Sequence, residues 1–414
     1  MKRQKKSKRD KSASHTFTQG PGSAPKQSKA PPVEEIENEV PIGAILNPLG
    51  QLLELQFFHT TVPGLLLRIL ALCIPYQHHL TRITIRWGII DCYTIHEINR
   101  ILPQSQISEL YLDDSPLPHR CYALLLIYQT RLKCLSLDRC RLDDDDCIEI
   151  ASKLVHPYPA SKNITTLSMA SNMISNTGAG SLATMLRSNR QLRHLNLTGN
   201  RISNNGAVAI LTSLMHFPLT TDEIVSKRLR TIQYIKLRQE IYSKCFNEVL
   251  ISSAGVENRS DDRRASRKKP TARLKSVPAT SLIKALSEED AIAKAKMMTT
   301  ELIGTNNEPF NRDYTFVRDG LLYSNGNLTL CYLNLSYNNL GHPSTVKLVE
   351  VMQYQEERRR SELGLVRVVL DGNPLPESSY ELQQMQRLFD RTDMTNVIKT
   401  VRKSEKISQR IVRR

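Results

Sequence analysis

Four consecutive carboxylates, Asp143 to Asp146, are the residues of the sequence that come nearest to a metal site. Carboxylate oxygens are the ligands that Ca²⁺ and Mg²⁺ prefer. The run directly precedes CIEIASKL, whose apolar residues have helical spacing, and acidic side chains at the start of a helix are stabilised by the positive end of its dipole. We therefore interpret the run as a helix cap and predict no bound metal.

The other residue types that carry chemistry lack the spacing that a catalytic or metal site requires. His78, His79 and His96 do not follow a zinc-ligand pattern. The eight cysteines include no CxxC pair, so we expect reduced and mostly buried thiols. The GAG at residues 178–180 is not followed by the lysine of a phosphate-binding loop. The sequence thus predicts a protein that is not an enzyme, with no catalytic residues and no cofactor.

Most of the positive charge lies in three stretches of the chain. The net charge is +16; residues 1–11 and 397–414 each contribute +6 and residues 257–275 contribute +5, so the remainder is close to neutral. Polybasic segments attract nucleic acid and acidic protein surfaces, but no aromatic residue interrupts the N-terminal lysines to stack on bases. Ser266, in the string RRAS, has the arginine context that basic-directed kinases read and is a candidate phosphorylation site.

Hydropathy predicts a cytoplasmic chain. No uninterrupted apolar run reaches the roughly 18 residues that a transmembrane helix needs. The opening MKRQKKSKRDK is not followed by the apolar segment of a signal peptide. We expect neither secretion nor membrane insertion, and the basic N-terminus leaves nuclear import open.

An internal repeat supplies the elements that would position any functional surface. Apolar residues recur at offsets 0, 3 and 5, Asn or another small residue occupies offset 8, and an aliphatic residue occupies offset 10. This is the pattern of a leucine-rich repeat. Units start at residues 52, 80, 107, 132, 164, 192, 330 and 365. They predict an α/β horseshoe of about eight repeats, with a parallel sheet on the concave side and helices on the convex side.

The residue at offset 8 should close a sharp turn after each strand. An asparagine amide there can bond backbone groups that the turn leaves unpaired. The structural asparagines of this kind are Asn172, Asn200, Asn338 and Asn373. Cys140 takes the position in another unit, whereas Thr60, Gly88 and Ser115 can satisfy fewer groups. The N-terminal repeats are therefore the irregular end of the array.

The 138 residues between the sixth and seventh starts indicate an insertion of about 110 residues after the sixth repeat. We expect it to contain two helical segments around a disordered basic stretch that begins at Ser252. The predicted organisation is a disordered basic tail at 1–45, a first repeat block at 46–219, the insertion at 220–329, a second repeat block at 330–392 and a basic tail at 393–414.

Distinctive segments flank the insertion: LTSLMHFPLTTDEIVSKRLR lies before it, and LCYLNLSYNNL, VMQYQEERRR and GLVRVVLDGNPLP lie after it. They resemble the leucine-rich repeat-containing protein 71 family, which has repeats of the ribonuclease-inhibitor type, and the resemblance covers about residues 50–385. The insert here is shorter and the C-terminus more basic. The resemblance implies no catalytic activity, and it implies axonemal partners in a motile cilium or flagellum.

Strand side chains at offsets 2, 4 and 6 should point to the concave surface. Aromatic and arginine side chains are the usual anchors of protein interfaces, and they are concentrated in the N-terminal rows. The candidate partner-binding residues on this surface are Arg82, Arg86, Glu109, Tyr111, Asp113, His194, Asn196, Tyr332 and Asn334.

These features together predict a protein–protein interaction scaffold. We expect a protein partner, with no nucleic acid, membrane or small-molecule substrate. Two alternatives stay open: a regulator of a small GTPase, since Ran-type GTPase activators use the same repeat type, and a nucleic-acid-associated protein that acts through its basic tails. Binding through the tails would weaken steeply as salt is added.

Overall fold

The computed structural model describes residues 40–118, 120–261, 288–304, 307–358, 364–375, 380–385 and 387–388. The chain divides into the units Met1–Glu39 and Val40–Arg414, and all described residues belong to the second. The predicted N-terminal tail up to residue 39, the phosphorylation site at Ser266 and the C-terminal tail lie outside the described residues.

The described residues contain twelve strands and eight α-helices. The strands are β1 Ile42–Leu46, β2 Leu52–Phe58, β3 Arg82–Arg86, β4 Glu109–Tyr111, β5 Cys134–Ser136, β6 Thr166–Ser168, β7 His194–Asn196, β8 Phe217–Pro218, β9 Thr315–Arg318, β10 Leu321–Ser324, β11 Tyr332–Asn334 and β12 Arg367–Val369. The helices are α1 Gly64–Cys73, α2 Cys92–Ile101, α3 Asp144–Leu154, α4 Asn176–Ser188, α5 Asn204–Thr212, α6 Thr221–Asp261, α7 Glu288–Ile303 and α8 His342–Glu357.

Nine of these strands form one sheet in the order β1-β2-β3-β4-β5-β6-β7-β11-β12. All neighbours from β2 to β12 pair in parallel. The central residue of each three-residue strand from β4 to β11 is buried, and Val368 at the centre of β12 is half-buried. These residues align in register across the sheet, as Leu167, Leu195 and Leu333 do. The prediction of a leucine-rich repeat solenoid with a parallel sheet is confirmed.

The apolar offsets explain why each unit folds against its neighbours. In the sixth unit Leu192, Leu195 and Leu197 are completely buried, together with Ile210 from the following helix. Each such side chain contributes roughly 1.5–3 kcal/mol when it leaves water. A single unit cannot enclose these residues alone, so the core is continuous along the stack.

Every repeat places its offset-7 residue in the left-handed region of backbone conformation. These residues are His59, Trp87, Asp114, Arg139, Ser171, Gly199, Tyr337 and Gly372. A residue with a Cβ atom costs roughly 1–2 kcal/mol there, so six of the eight units tolerate this strain. Glycine is required at Gly372, because an added Cβ would lie 2.4 Å from the Tyr337 ring.

The buried asparagines at offset 8 join each repeat to the one before it. Asn200 accepts a hydrogen bond from the Ile174 backbone N–H at 3.1 Å, and its amide nitrogen donates to the carbonyls of Met169 and Leu197 at 3.0 Å. The Ile174 and Met169 groups belong to the preceding unit. The amide therefore closes its own turn and the neighbouring turn together.

The same bridge crosses the long gap in the sequence. Asn338 accepts from the Ile202 N–H at 3.1 Å and donates to the carbonyls of Leu197 and Leu335. Asn172 and Asn373 make equivalent bonds to their preceding units. These bonds tie the seventh unit directly to the sixth.

Weaker groups fill the position in the N-terminal repeats. The Cys140 thiol donates to the Leu112 carbonyl at 3.1 Å. Ser115 accepts from the Gly88 N–H at 3.0 Å and donates to the Asp113 carbonyl. Each of these side chains makes fewer bonds than an asparagine amide does.

A second ladder links the helix starts on the other side of the stack. Asp144 accepts from the N–H groups of Ser175 and Gly178, and Asn176 accepts from those of Ser203 and Gly206, at 2.7 to 3.0 Å. An added Cβ at Gly206 would lie 2.7 Å from the Asn176 side-chain oxygen, so glycine permits the close approach.

The acidic run begins α3 in the way that a helix cap does. Asp143 is the N-cap residue and accepts from the N–H groups of Asp145 and Asp146, while Asp146 accepts from the Asp143 N–H. Burial raises the pKa of Asp146 to about 6. The run thus bonds both its own helix and the next one through Asp144.

Three expectations about the less regular parts are wrong. The tail boundary predicted at residue 45 is too late, because β1 pairs antiparallel with β2 and covers that edge of the sheet. Helix α6 continues to Asp261, past the predicted start of disorder at Ser252. Cys92 and Cys121, expected as free thiols, form a disulfide with their Cα atoms 6.0 Å apart.

The predicted insertion and residues 217–219 just before it form a small core of their own, in addition to the helices. Strands β8, β10 and β9 form a three-stranded antiparallel sheet that the periodicity does not predict. Phe217, Leu219 and Phe310 are buried together beside it. Helix α6 packs against α7, where Cys245 and Ala295 are buried.

Replacing Asn200 by Ala should destabilise the fold by roughly 1–3 kcal/mol, because buried backbone groups of two repeats lose their partner. Thr198→Ala removes a partly exposed hydroxyl two residues away and should cost little. Chemical denaturation of both variants measures the difference. Equal losses of free energy would contradict the bridging role of the amide.

Removal of residues 231–307, with a Gly/Ser linker of about four residues, should preserve the cooperative unfolding of the repeat stack. The ends lie close, since Arg230 and Glu308 form a bidentate ion pair with distances of 2.7 and 2.8 Å. As a contrast, Asn327→Ala should destabilise it, because the buried amide donates to the carbonyls of Leu186 and Asn189. Circular dichroism monitors the melt of the deletion protein. Loss of its cooperative transition would mean that the deleted helical region is part of the core of the repeat stack.

Candidate interaction surface on the open face of the sheet

The open face of the sheet is formed by the residues at offsets 2, 4 and 6, which alternate with the buried ones. Its N-terminal rows are joined by an ion-pair network. Arg82 lies between Glu54 and Glu109, at 3.3 Å and 2.7 Å from their carboxylate oxygens. Tyr111 donates to Glu109 at 3.1 Å, and its ring centroid lies 5.6 Å from the Arg82 guanidinium carbon. Arg82 is therefore held inside the network.

Glu54 is the buried member of this network, with 6% of its surface exposed. Burial acts to raise the pKa of its carboxyl group, but hydrogen bonds from Thr84 and Gln56 and the charge of Arg82 outweigh that effect. The pKa of Glu54 therefore lies below its ordinary value. The carboxylate stays charged at neutral pH although it is almost enclosed.

A second group of acids follows along the same face. Asp113 accepts from the Ser136 hydroxyl at 2.5 Å and lies 3.2 Å from the Arg86 guanidinium. Asp138 accepts from the Ser168 hydroxyl at 2.6 Å and from the Ala170 N–H at 2.7 Å. Burial raises the pKa of Asp138, and the charge of Asp113 adds to this effect.

The C-terminal half of the face is neutral and less connected. His194 is exposed, and its ring lies 6.0 Å from that of Tyr332. Asn196 donates to the Ser168 hydroxyl at 2.9 Å, and Asn334 donates to the Tyr332 hydroxyl at 3.3 Å. The structure thus puts the nine predicted partner-binding residues on one face, in an N-terminal charged group and a C-terminal neutral group.

Charge on the N-terminal group is negative overall. Glu54, Glu109, Asp113 and Asp138 are four carboxylates, and the two guanidinium groups of Arg82 and Arg86 balance half of them. Both arginines are ion-paired within the face, so neither is a free cation for an acidic partner. A partner with basic side chains complements this group better.

Four residues at the ends of β2 and β3 were not among the predicted site residues. We call Phe58, His59, Trp87 and Ile89 the aromatic corner. The exposed fractions are 38% for Phe58, 48% for Trp87 and 71% for Ile89. The rings of His59 and Trp87 stack at 4.5 Å with an angle of 3° between their planes. This apolar surface adjoins the acidic rows.

Trp87 was not among the predicted partner-binding residues because it lies at offset 7, outside the strand alternation that defines the open face. Its left-handed backbone turns the chain at the end of β3 and leaves the indole exposed. One signal in the sequence could have found it: the chain contains a single tryptophan, and it occupies a turn position where small residues are usual.

Replacing Arg82 by Met should destabilise the protein at neutral pH by about 1–2 kcal/mol, because the buried Glu54 carboxylate loses a cation that is itself partly exposed. The pKa of Glu54 is lowered in the folded state, so its carboxylate stabilises the fold above the ordinary pKa and ceases to do so as pH falls through the lowered pKa. The difference from the parent protein should therefore shrink as the pH falls from neutral through the lowered pKa of Glu54.

Thermal melts at neutral and at acidic pH measure this difference in stability. Arg318→Met is the matched control, since its ion pair with Asp319 is exposed on both sides. The control should shift little at either pH. A pH-independent loss for Arg82→Met would mean that the side chain acts through packing alone.

Comparison with family models agrees with the repeat architecture. The family model described as Leucine Rich repeat matches residues 160–183 and 188–211. No curated protein sequence matches the chain significantly. The solved structure titled Leiomodin-1 Actin-Binding Site 2 shares 10% sequence identity, with a TM-score of 0.30, over 64% of this chain and 83% of that one. Within the described residues no helix is long and apolar enough to cross a bilayer. The chain contains leucine-rich repeats arranged as a solenoid.

Proposed function

We propose that this protein is an interaction scaffold that binds a protein partner at the N-terminal end of its open face. The observation that carries the proposal is the aromatic corner, where Phe58, Trp87 and Ile89 are exposed beside four carboxylates. Exposed tryptophan and neighbouring aromatic side chains are typical centres of protein interfaces. The short parallel strands hold this surface rigid, so little entropy is lost when a partner docks.

The chemistry of the surface indicates the kind of partner. An apolar side chain of the partner would pack against the His59 and Trp87 pair, while its basic residues would meet the half-buried carboxylates of Glu109 and Asp138. Neutral residues farther along the face offer fewer anchors. The resemblance described above supports an axonemal partner in a motile cilium or flagellum, and regulation of a small GTPase stays an alternative that follows from the repeat type.

The test compares two aromatic residues at the same repeat offset. Trp87→Asn and Tyr337→Asn both remove an exposed ring from a left-handed position, which asparagine tolerates. Proximity labelling in a ciliated cell with the parent protein identifies partners, and binding of each variant to a purified partner is then measured. We expect Trp87→Asn to weaken binding by roughly 2 kcal/mol, about thirtyfold, and Tyr337→Asn to leave it unchanged.

The outcomes separate the two parts of the proposal. Weaker binding by Tyr337→Asn alone would move the interface to the other half of the face. A set of labelled proteins without axonemal members would contradict the ciliary assignment while leaving the binding surface intact.

A further inference from the structure

A polar cavity lies where the repeats meet the segment before β9. Its volume is about 320 Å³, and its walls include His156, Lys162, Arg190, Glu308 and Tyr314. Lys162 ends a short 3-10 helix after α3, and Arg190 follows α4. A cavity of this size accepts a small ligand or one group of a larger molecule.

Arg190 has hydrogen-bonding capacity that no described residue uses. Its Nη1 donates to the carbonyls of Leu186 and Asn189 at 3.0 and 3.1 Å, which fixes the guanidinium plane. Its Nε and Nη2 atoms are buried and have no hydrogen-bond partner among the described residues, although the side chain as a whole keeps some exposure. A buried N–H without an acceptor costs free energy, and more when it is charged.

Two neighbouring arginines show what the same edge of a guanidinium binds. Arg187 holds both oxygens of Glu223 with Nε and Nη2, at 2.7 and 2.6 Å. Arg230 holds both oxygens of Glu308 with the same two nitrogens. The corresponding edge of Arg190 has no carboxylate bound to it among the described residues. It is shaped for an anion that presents two oxygen atoms.

The charges at the cavity indicate which anion. Arg230 already compensates Glu308, so the walls keep the charges of Arg190 and Lys162 without a carboxylate partner among the described residues. Burial lowers the pKa of His156 to about 4, and the charges of Arg230, Lys162 and Arg190 add to this effect against that of Glu308. The imidazole is therefore neutral near pH 7, and the two remaining cations match a dianion.

A neighbouring cavity offers room for the rest of such a ligand. It has a volume of about 500 Å³, shares Lys162 and Gln191 with the first, and adds Arg131 and Lys133. Side-chain amides and hydroxyls make up the rest of its described wall, which suits a polar ligand. An anionic group in the first cavity could thus be attached to a larger body.

We propose that the cavity at Arg190 and Lys162 is a binding site for a phosphate group. Arg190 provides guanidinium N–H donors for the phosphate oxygens, with a side-chain movement that uncovers the buried Nε and Nη2 atoms toward the cavity, and Lys162 neutralises the second charge. The phosphate is either free or borne as a monoester by a larger molecule that extends past Lys133. This site is separate from the open face of the sheet, so the proposal does not depend on the partner surface.

The test is calorimetric titration of the full chain at constant ionic strength with three probes: inorganic phosphate, a phosphoserine peptide and the unphosphorylated form of that peptide. Binding of inorganic phosphate indicates a free phosphate ligand, and binding of the phosphopeptide alone indicates a monoester. Arg190→Met and Lys162→Met should each weaken binding by about tenfold or more. Arg201→Met, which removes an exposed cation from the next repeat, should leave it unchanged.

Lys162 is exposed, so its substitution keeps the fold even if Arg190→Met is destabilised, and melting temperatures report both. Phosphate affinity that is equal in all three variants would mean an adventitious ion only and would overturn the proposal. The proposal would also be overturned if neither inorganic phosphate nor the phosphopeptide bound saturably. It would be overturned as well if the unphosphorylated peptide bound as tightly as the phosphopeptide.

Discussion

A buried asparagine amide that serves two turns at once is the interaction on which the regular part of the stack depends. Two of its hydrogen bonds, one accepted and one donated, form only when the preceding repeat is in register, as at Asn200 and Asn338. The hydrophobic core fixes which side chains are inside. The directional bonds of the amides add the register, and they therefore fix the strand positions in the four units that carry an asparagine.

Periodicity predicts what is local and repeated. Leu192, Leu195 and Leu197 identify a unit because their spacing serves one short strand and the turn after it. The antiparallel strand β1, the small sheet of β8, β10 and β9, and the Cys92–Cys121 disulfide are not repeated. They arise from pairing between segments that share no pattern, and the spacing of residues carries no information on such pairing.

The sequence allowed us to predict which residues lie on the open face, but not which ion pairs and hydrogen bonds they form there. Alternation along a strand places Arg82 and Asp113 on that face. Their charged partners, Glu54 and Glu109 for Arg82 and Arg86 for Asp113, come from neighbouring units 27 or 28 residues away in the sequence. Arginines that look like free anchors in the sequence are thus neutralised in the fold. Trp87 shows the opposite case, since its exposure follows from a backbone conformation that alternation does not describe.

The direct pairing of β7 with β11 also dictates an order of events during synthesis. Ile202 and Asn338 are hydrogen-bonded but lie 136 residues apart in the chain. At about 5–20 residues per second, a ribosome takes on the order of ten seconds to deliver the second of them. Until then β7 is an open edge that any extended segment can pair with. The nascent chain therefore passes through a period in which the final partner of this edge has not yet been made.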